Sequence, residues 1–350
     1  MFRKITQFLE EWKQSEHRKP LILQGVRQVG KTYSILEFGR THYENVAYFN
    51  FETNPKLTQT FEESISPNYL IPLLSRIGGQ TIVKEKTLIV LDEVQLCERA
   101  LISLKYFCED APDYHIIVAG SLLGVAVSRA RFSFPVGKVD MKTLYPMDVE
   151  EFMLALGEDE LVAKIKESFA SDPPLPFALH DAAMQIYRQY LVVGGMPECV
   201  MQFAETQDYI LVRYTQDTIL ASYLNDMSKY NNLNEIKKTR LAYDNITVQL
   251  SKKNTSFQYK LIKKGGRASE FENAIEWLTL TGIVSQVYKV EQIKKPLENY
   301  RNIDAFKIYV SDLGLLCAKK DLAAQDVLYM TPELDDFKGG MAENYANVQL

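Results

Sequence analysis

Short apolar runs punctuate the first half of the chain. Leu21-Ile22-Leu23, Val46 to Phe51, Leu88-Ile89-Val90-Leu91 and Ile116-Ile117-Val118-Ala119 each lie between charges or glycine. Continuous runs of this length predict strands buried on both faces of a parallel sheet. The stretches between them carry helical spacing, so the order reads as βαβ units. Ahead of them, Phe2, Ile5, Phe8, Leu9 and Trp12 predict one face of an amphipathic helix. Pro173, Pro174 and Pro176 forbid regular structure over 168–176 and predict a boundary or long connection. From Asp181 to Asn225 the pattern is helical, broken by Gly194-Gly195-Met196-Pro197.

A second pattern follows. Ser269 and Glu272 stand at capping-box spacing ahead of Phe271, Ala274, Ile275 and Leu278, and Gly282 is a fitting helix terminator. Lys260 to Arg267 reads as a short helix and a glycine turn. Ile283 to Val290 and Asp304 to Val310 alternate like a hairpin. Helix, turn, helix, wing is the order of a winged helix.

Composition narrows the class. Of 350 residues 46% are hydrophobic and 24% charged, which excludes a collagen-like, disordered or disulfide-dense chain. The net charge is 40 − 45 = −5. Residues 237–307 carry 14 Lys+Arg against 7 Asp+Glu, a balance of +7, leaving −12 for the rest. Such asymmetry hints at an anionic partner, or else at a well-solvated basic surface. Lys263, Lys264, Arg267, Lys294 and Lys295 are candidate contacts to duplex DNA phosphates. Glu270, Glu272 and Glu276 on the presumed reading helix argue against base readout. Four scattered cysteines and four scattered histidines give neither a zinc site nor a disulfide framework. Their usage fits a reducing, cytoplasmic setting. No run of ~18 apolar residues occurs, so no membrane partner is expected.

The sharpest chemistry is Gly25-Val26-Arg27-Gln28-Val29-Gly30-Lys31-Thr32, a full GxxxxGK[ST] between an apolar strand and a helix starting at Tyr33. Glycines let backbone N–H groups turn inward around phosphate oxygens, and the helix N-terminus adds a positive field. Lys31 supplies a point charge to the outer phosphates and Thr32 an oxygen for Mg²⁺. Some 60 residues on, the strand Leu88 to Leu91 ends in Asp92-Glu93. Asp92 is placed at the Mg²⁺ shell and Glu93 as the base that polarises water. Ser121, after the strand ending in Gly120, is a candidate γ-phosphate contact or a helix N-cap. Arg129 or Arg131 could serve a neighbouring subunit's nucleotide, which would require a homo-oligomer, or be surface arginines. No guanine-reading NKxD signature is present, which favours adenine.

These residues resemble a large family of bacterial and archaeal AAA-type ATP-binding proteins. The matching pieces are GVRQVGKT, LDEVQ, AGS ending at Ser121, FPVGKV, LYPMDVEEF (Leu144 to Phe152), GGMPE (Gly194 to Glu198), IEWL, FKIYVSDLGLL (Phe306 to Leu316) and ENYANVQL. Lys138 stands where many relatives place an arginine. The resemblance implies an α/β P-loop NTPase (AAA-type) parallel sheet with helices on both faces, followed by a helical region and a winged-helix-like module. The expected divisions are a P-loop ATPase domain at 1–165, a helical region at 166–230, a basic winged-helix-like module at 231–320, and the start of a truncated nuclease-like domain at 321–350, without nuclease activity. The implied function is Mg²⁺-dependent ATP binding and hydrolysis coupled to DNA binding. The alternative is a slow nucleotide-dependent switch or scaffold for protein partners.

Overall fold

All four apolar runs become strands of one parallel sheet: β1 (Leu21–Gln24), β2 (Asn45–Asn50), β3 (Thr87–Asp92) and β4 (His115–Gly120). A fifth strand, β5 (Asp140–Thr143), completes the order β2-β3-β4-β1-β5. The computed structural model describes residues 1–125, 134–135, 137–230, 233–252 and 256–350, so Arg129 and Arg131 lie outside the described residues. Contacts divide the chain into two units, Arg3–Tyr145 and Met1–Phe2 with Pro146–Leu350. The expected ATPase segment, by comparison, ran to residue 165.

In the first unit every residue of β3 and β4 is buried. Ile22, Ala47, Phe49, Ile89, Leu91, Ile116 and Val118 share one core with Leu57 and Phe61 of α3 (Pro55–Glu63), Leu70 and Leu74 of α4 (Pro67–Gly78), and Leu101 and Leu104 of α5 (Glu98–Asp110). The two-residue period of a strand sends Leu88 and Val90 to the opposite face. There α2 (Lys31–His42) approaches so closely that a Cβ on Gly39 would lie 2.5 Å from Val46 Cγ2 and 3.1 Å from Leu88 Cδ2. The amphipathic α1 (Ile5–Gln14) packs beside α2 and buries Ile5, Leu9 and Trp12. Each buried large side chain contributes roughly 1.5–3 kcal/mol, so this two-sided core holds the strand tips in place. Helices cover both faces of the parallel sheet, and the expected fold class stands.

The second unit begins with α6 (Val149–Ala155), whose capping box explains the Asp-Val-Glu-Glu stretch. Asp148 Oδ1 accepts from Glu151 N at 2.8 Å, and Glu151 Oε2 accepts from Asp148 N at 3.2 Å. Next comes α7 (Asp159–Ser171), which runs further than expected. Proline restricts only itself and its predecessor, so regular structure is lost only over 172–176. Then follow α8 (Phe177–Val193), α9 (Pro197–Thr206), α10 (Tyr209–Tyr230) and α11 (Leu233–Leu250).

The helix expected to start at a Ser269 cap is α12 (Ala268–Leu280), and its N-cap is Arg267, with no side-chain cap bond. The turn closed by Gly266 N on Lys263 O sets the start two residues early, and Glu270 pairs with Lys263 at 3.0 Å. The capping box is therefore absent. The expected core positions are all buried, with Trp277 added. β6 (Val284–Val290) and β7 (Arg301–Val310) form the antiparallel hairpin. α13 (Leu313–Lys319), α14 (Ala324–Tyr329) and α15 (Asp335–Gln349) close the chain. Within residues 321–350, α15 is tied into this unit: Asn344 both accepts from Val310 N (2.8 Å) and donates to Val310 O (2.9 Å).

The two most distinctive sequence pieces, GGMPE and the stretch ending SDLGLL, meet at Asp312. This carboxylate is fully buried and accepts from Gly195 N at 2.6 Å and Leu315 N at 2.8 Å. Burial raises its pKa to about 6, against backbone N–H bonds that lower it. Space there is tight. A Cβ on Gly195 would lie 2.0 Å from Met147 O, and one on Gly314 2.2 Å from Val193 O. Tyr190 Oη also donates to Met147 O at 2.8 Å. These motifs build a structural knot.

Candidate functional site

The parallel register brings the carboxyl ends of the strands level: Gln24 pairs with Gly120 and with Thr143, and Asn50 with Asp92. In an open α/β sheet that edge is where ligands bind. The Gly25–Thr32 loop leaves β1 there and opens α2.

The loop is held from inside. Gly25 has φ +151°, and a Cβ on it would lie 2.2 Å from Leu144 O, so only glycine fits. Gly30, the N-cap of α2, has φ +89° and provides no side-chain cap, which leaves the first N–H groups of the helix for an anion. Val26 and Val29 are buried anchors. Lys31 Nζ donates to Gly25 O (2.8 Å) and Val26 O (2.9 Å). An ammonium has three protons, so one remains for a phosphate oxygen. Burial lowers the Lys31 pKa to about 8, opposed by Glu93 and Asp92. Arg27 is half-buried, and Gln28 and Tyr33 are exposed.

Asp92 closes the site. Its Oδ2 accepts from Thr32 Oγ1 at 2.8 Å across 60 residues of sequence. Two hard oxygen donors side by side suit Mg²⁺, which takes one or two protein oxygens and fills its octahedron with phosphate and water. The pair therefore fits the ion expected there.

Glu93 follows in the left-handed region at φ +53°, with its N–H on Asp92 Oδ1 at 2.9 Å. Several other described non-glycine residues, Gln207 and Met330 among them, share this left-handed conformation, which carries some backbone strain. Burial raises the Glu93 pKa, the Gln95 bond lowers it, and the Asp92 charge raises it again. Gln95 Nε2 donates to Glu93 Oε2 in a short contact. Gln95 Oε1 also fills the space that a Cβ on Gly120 would need. Ser121 lies just past β4, half-buried.

Four residues escape the sequence reading. Arg3 Nη1 donates to Val29 O at 3.2 Å and its Nη2 to Tyr145 O at 2.7 Å, strapping the phosphate loop. Tyr48 Oη donates to Asp92 Oδ2 at 2.9 Å, and Asn50 Nδ2 donates to Tyr48 Oη at 3.2 Å. Burial first, then the carboxylate neighbours, push the Tyr48 phenol up to about 12, so it stays a donor. Gln95 is the fourth. The alternation of β2 shows Tyr48 and Asn50 on one face, but not which strand they meet.

The DNA candidates Lys263, Lys264, Arg267, Lys294 and Lys295 are all exposed, the last two in the connection between β6 and β7. Lys263 is engaged with Glu270. Among the described residues no helix is long and apolar enough to cross a membrane, and no cluster of three His, Cys, Asp or Glu could hold a metal.

Residues 17–153 match a family model described as an AAA domain, and residues 184–326 match one described as a domain of unknown function (DUF8612). No curated protein matches the sequence. Among solved structures, the Aeropyrum pernix ORC2 protein in ADPNP-ADP complexes is 13% identical, covers 98% of this chain and 93% of its own, and has a TM-score of 0.41. The Thermotoga maritima RuvB Holliday junction branch migration motor is 14% identical, with coverage of 81% and 87% and a TM-score of 0.34. Drosophila ORC bound to DNA is 14% identical, with coverage of 90% and 93% and a TM-score of 0.33. Likenesses this distant carry no argument about what the present chain does. The AAA domain match coincides with the parallel sheet and its phosphate loop, and on that footing residues 17–153 are an AAA-type P-loop domain, followed over 184–326 by the domain of unknown function.

Proposed function

We propose that the AAA-type domain binds ATP with Mg²⁺ and hydrolyses it. The observation that carries this reading is the 2.8 Å bond between Thr32 Oγ1 and Asp92 Oδ2 beside the Lys31 ammonium. The N–H groups from Gly30 to Thr32 and the third proton of Lys31 would receive the β- and γ-phosphates. Mg²⁺, held by Thr32 and Asp92, would neutralise charge on the phosphate oxygens. Glu93, with its pKa raised by burial, would take the proton of the attacking water. Ser121 at the neighbouring strand tip would face the γ-phosphate.

A Glu93→Gln variant is expected to bind ATP like the parent and to lose phosphate release by roughly 10²–10⁴-fold, the usual worth of a general base. Phosphate release at the parental rate removes Glu93 from that role.

One observation favours a second reading. The Gln95 amide occupies the Glu93 carboxylate, which suits slow turnover and a nucleotide-dependent switch that binds partners. Parental turnover that rises sharply in Gln95→Ala, with its ATP affinity unchanged, would support a restrained base.

DNA contact through the exposed Lys264, Arg267, Lys294 and Lys295 is a subsidiary proposal. The exposed face of α12 carries Glu272 and Glu276, so contact would be to phosphates alone. Duplex binding that fails to weaken with salt removes it.

A further inference from the structure

Asp92 Oδ2 accepts two hydroxyl protons. One comes from Thr32, as the phosphate loop requires. The other comes from Tyr48 on β2, a strand that borders β3 at the sheet edge. The β2–β3 register sets Tyr48 beside Val90 and Asn50 beside Asp92. Tyr48 and Asn50 therefore lie on the same face, the one not occupied by Ala47 and Phe49. The orientation of the phenol is determined. Asn50 Nδ2 donates to it at 3.2 Å, so the phenolic proton must go to Asp92. Asn50 is itself fixed, since its Oδ1 accepts from Glu52 N (2.8 Å) and Thr53 N (3.1 Å). The Asp92 Oδ1 atom is held by Glu93 N. Every donor in this chain is aligned by the one before it, from the turn after β2 to the carboxylate.

We propose that Tyr48 is a positioning residue of the metal site, its phenol fixing the Asp92 carboxylate in the rotamer that sets Oδ2 beside Thr32 Oγ1 for Mg²⁺. The phenol of Tyr48 is bonded to Asp92 and Asn50. It acts through Asp92, and it rests on the nucleotide reading above. Loss of its hydroxyl leaves Oδ2 with Thr32 Oγ1 as its one hydroxyl donor, so the carboxylate is held less firmly when the ion arrives. Tyr48 is 38% exposed, so phenylalanine is accommodated at this position.

The test is equilibrium binding of a fluorescent ATP analogue to the full chain and to Tyr48→Phe, first in EDTA and then along a Mg²⁺ titration. Equal affinity in EDTA is expected. The Mg²⁺ concentration giving half of the metal-dependent gain should rise roughly 3- to 10-fold in the variant, the worth of one hydrogen bond. An unchanged Mg²⁺ midpoint overturns the proposal. Equal loss of affinity with and without metal also overturns it, because Tyr48 would then merely shape the loop. A parent chain that binds no nucleotide in either condition refutes the nucleotide reading itself, and this inference with it.

Discussion

Asp312 shows what burial does to one carboxylate. Its pKa stands at about 6 instead of the ordinary 3.8 because it lies out of water, even with backbone N–H groups pointing at it. Between those pH values the folded chain keeps a proton that the unfolded chain has released. The stabilising share of this group is thus full below pH ~4 and is lost as pH rises through ~6, worth about 3 kcal/mol at most. Asn at position 312 cannot titrate. Urea unfolding of the parent and of Asp312→Asn at pH 4 and pH 7 should therefore show the parent's advantage shrinking by up to that amount at the higher pH. A constant difference would contradict the buried ionisation. At this scale the sequence singles out Lys31, Thr32, Asp92 and Glu93 as candidates because contiguous or strand-end patterns mark them, and the structure sets Thr32 Oγ1 2.8 Å from Asp92 Oδ2. The sequence reading missed Tyr48 because a strand tyrosine 44 residues from Asp92 has no local mark of its partner. Arg3 was hidden for the same reason: its role depends on where α1 places it against the loop.

Elements were legible where burial is two-sided. β1, β3 and β4 are continuous apolar runs because both faces are covered. β5 was not, since Asp140 to Thr143 forms an edge strand with no buried residue. Its identity comes from pairing with β1. The start of α12 was misplaced because the glycine turn before it decides the first helical residue. GGMPE was recognisable as a helix break, but its purpose depends on Asp312, 117 residues away from Gly195. Gly195→Ala tests that purpose. A Cβ 2.0 Å from one backbone atom of Met147 and 2.7 Å from another must push main chain aside. The variant should lose about 3 kcal/mol of unfolding free energy or fail to fold. Gly339→Ala in α15 meets nothing within 4 Å and should be neutral or gain up to about 1 kcal/mol. Equal stability of the two variants would dissolve the knot.

Across the whole chain, charge is distributed against the mean. The 237–307 segment is basic within an acidic protein. The folded segment pairs part of that charge, Lys263 with Glu270 and Lys289 with Glu291 inside the segment and Lys307 with Glu343 beyond it. What remains outward is a loop and turn feature more than a reading helix, which composition alone could not reveal. The proposed nucleotide site depends instead on the loop of Gly25 to Thr32. Its most direct test is equilibrium ATP binding with Mg²⁺ by the parent chain and by Lys31→Ala. Saturable, one-site binding by the parent and a loss of at least 100-fold in the variant are expected, on the order of the 3 kcal/mol or more lost with a buried charged contact. Equal binding by both, or none by the parent, would contradict the proposed site.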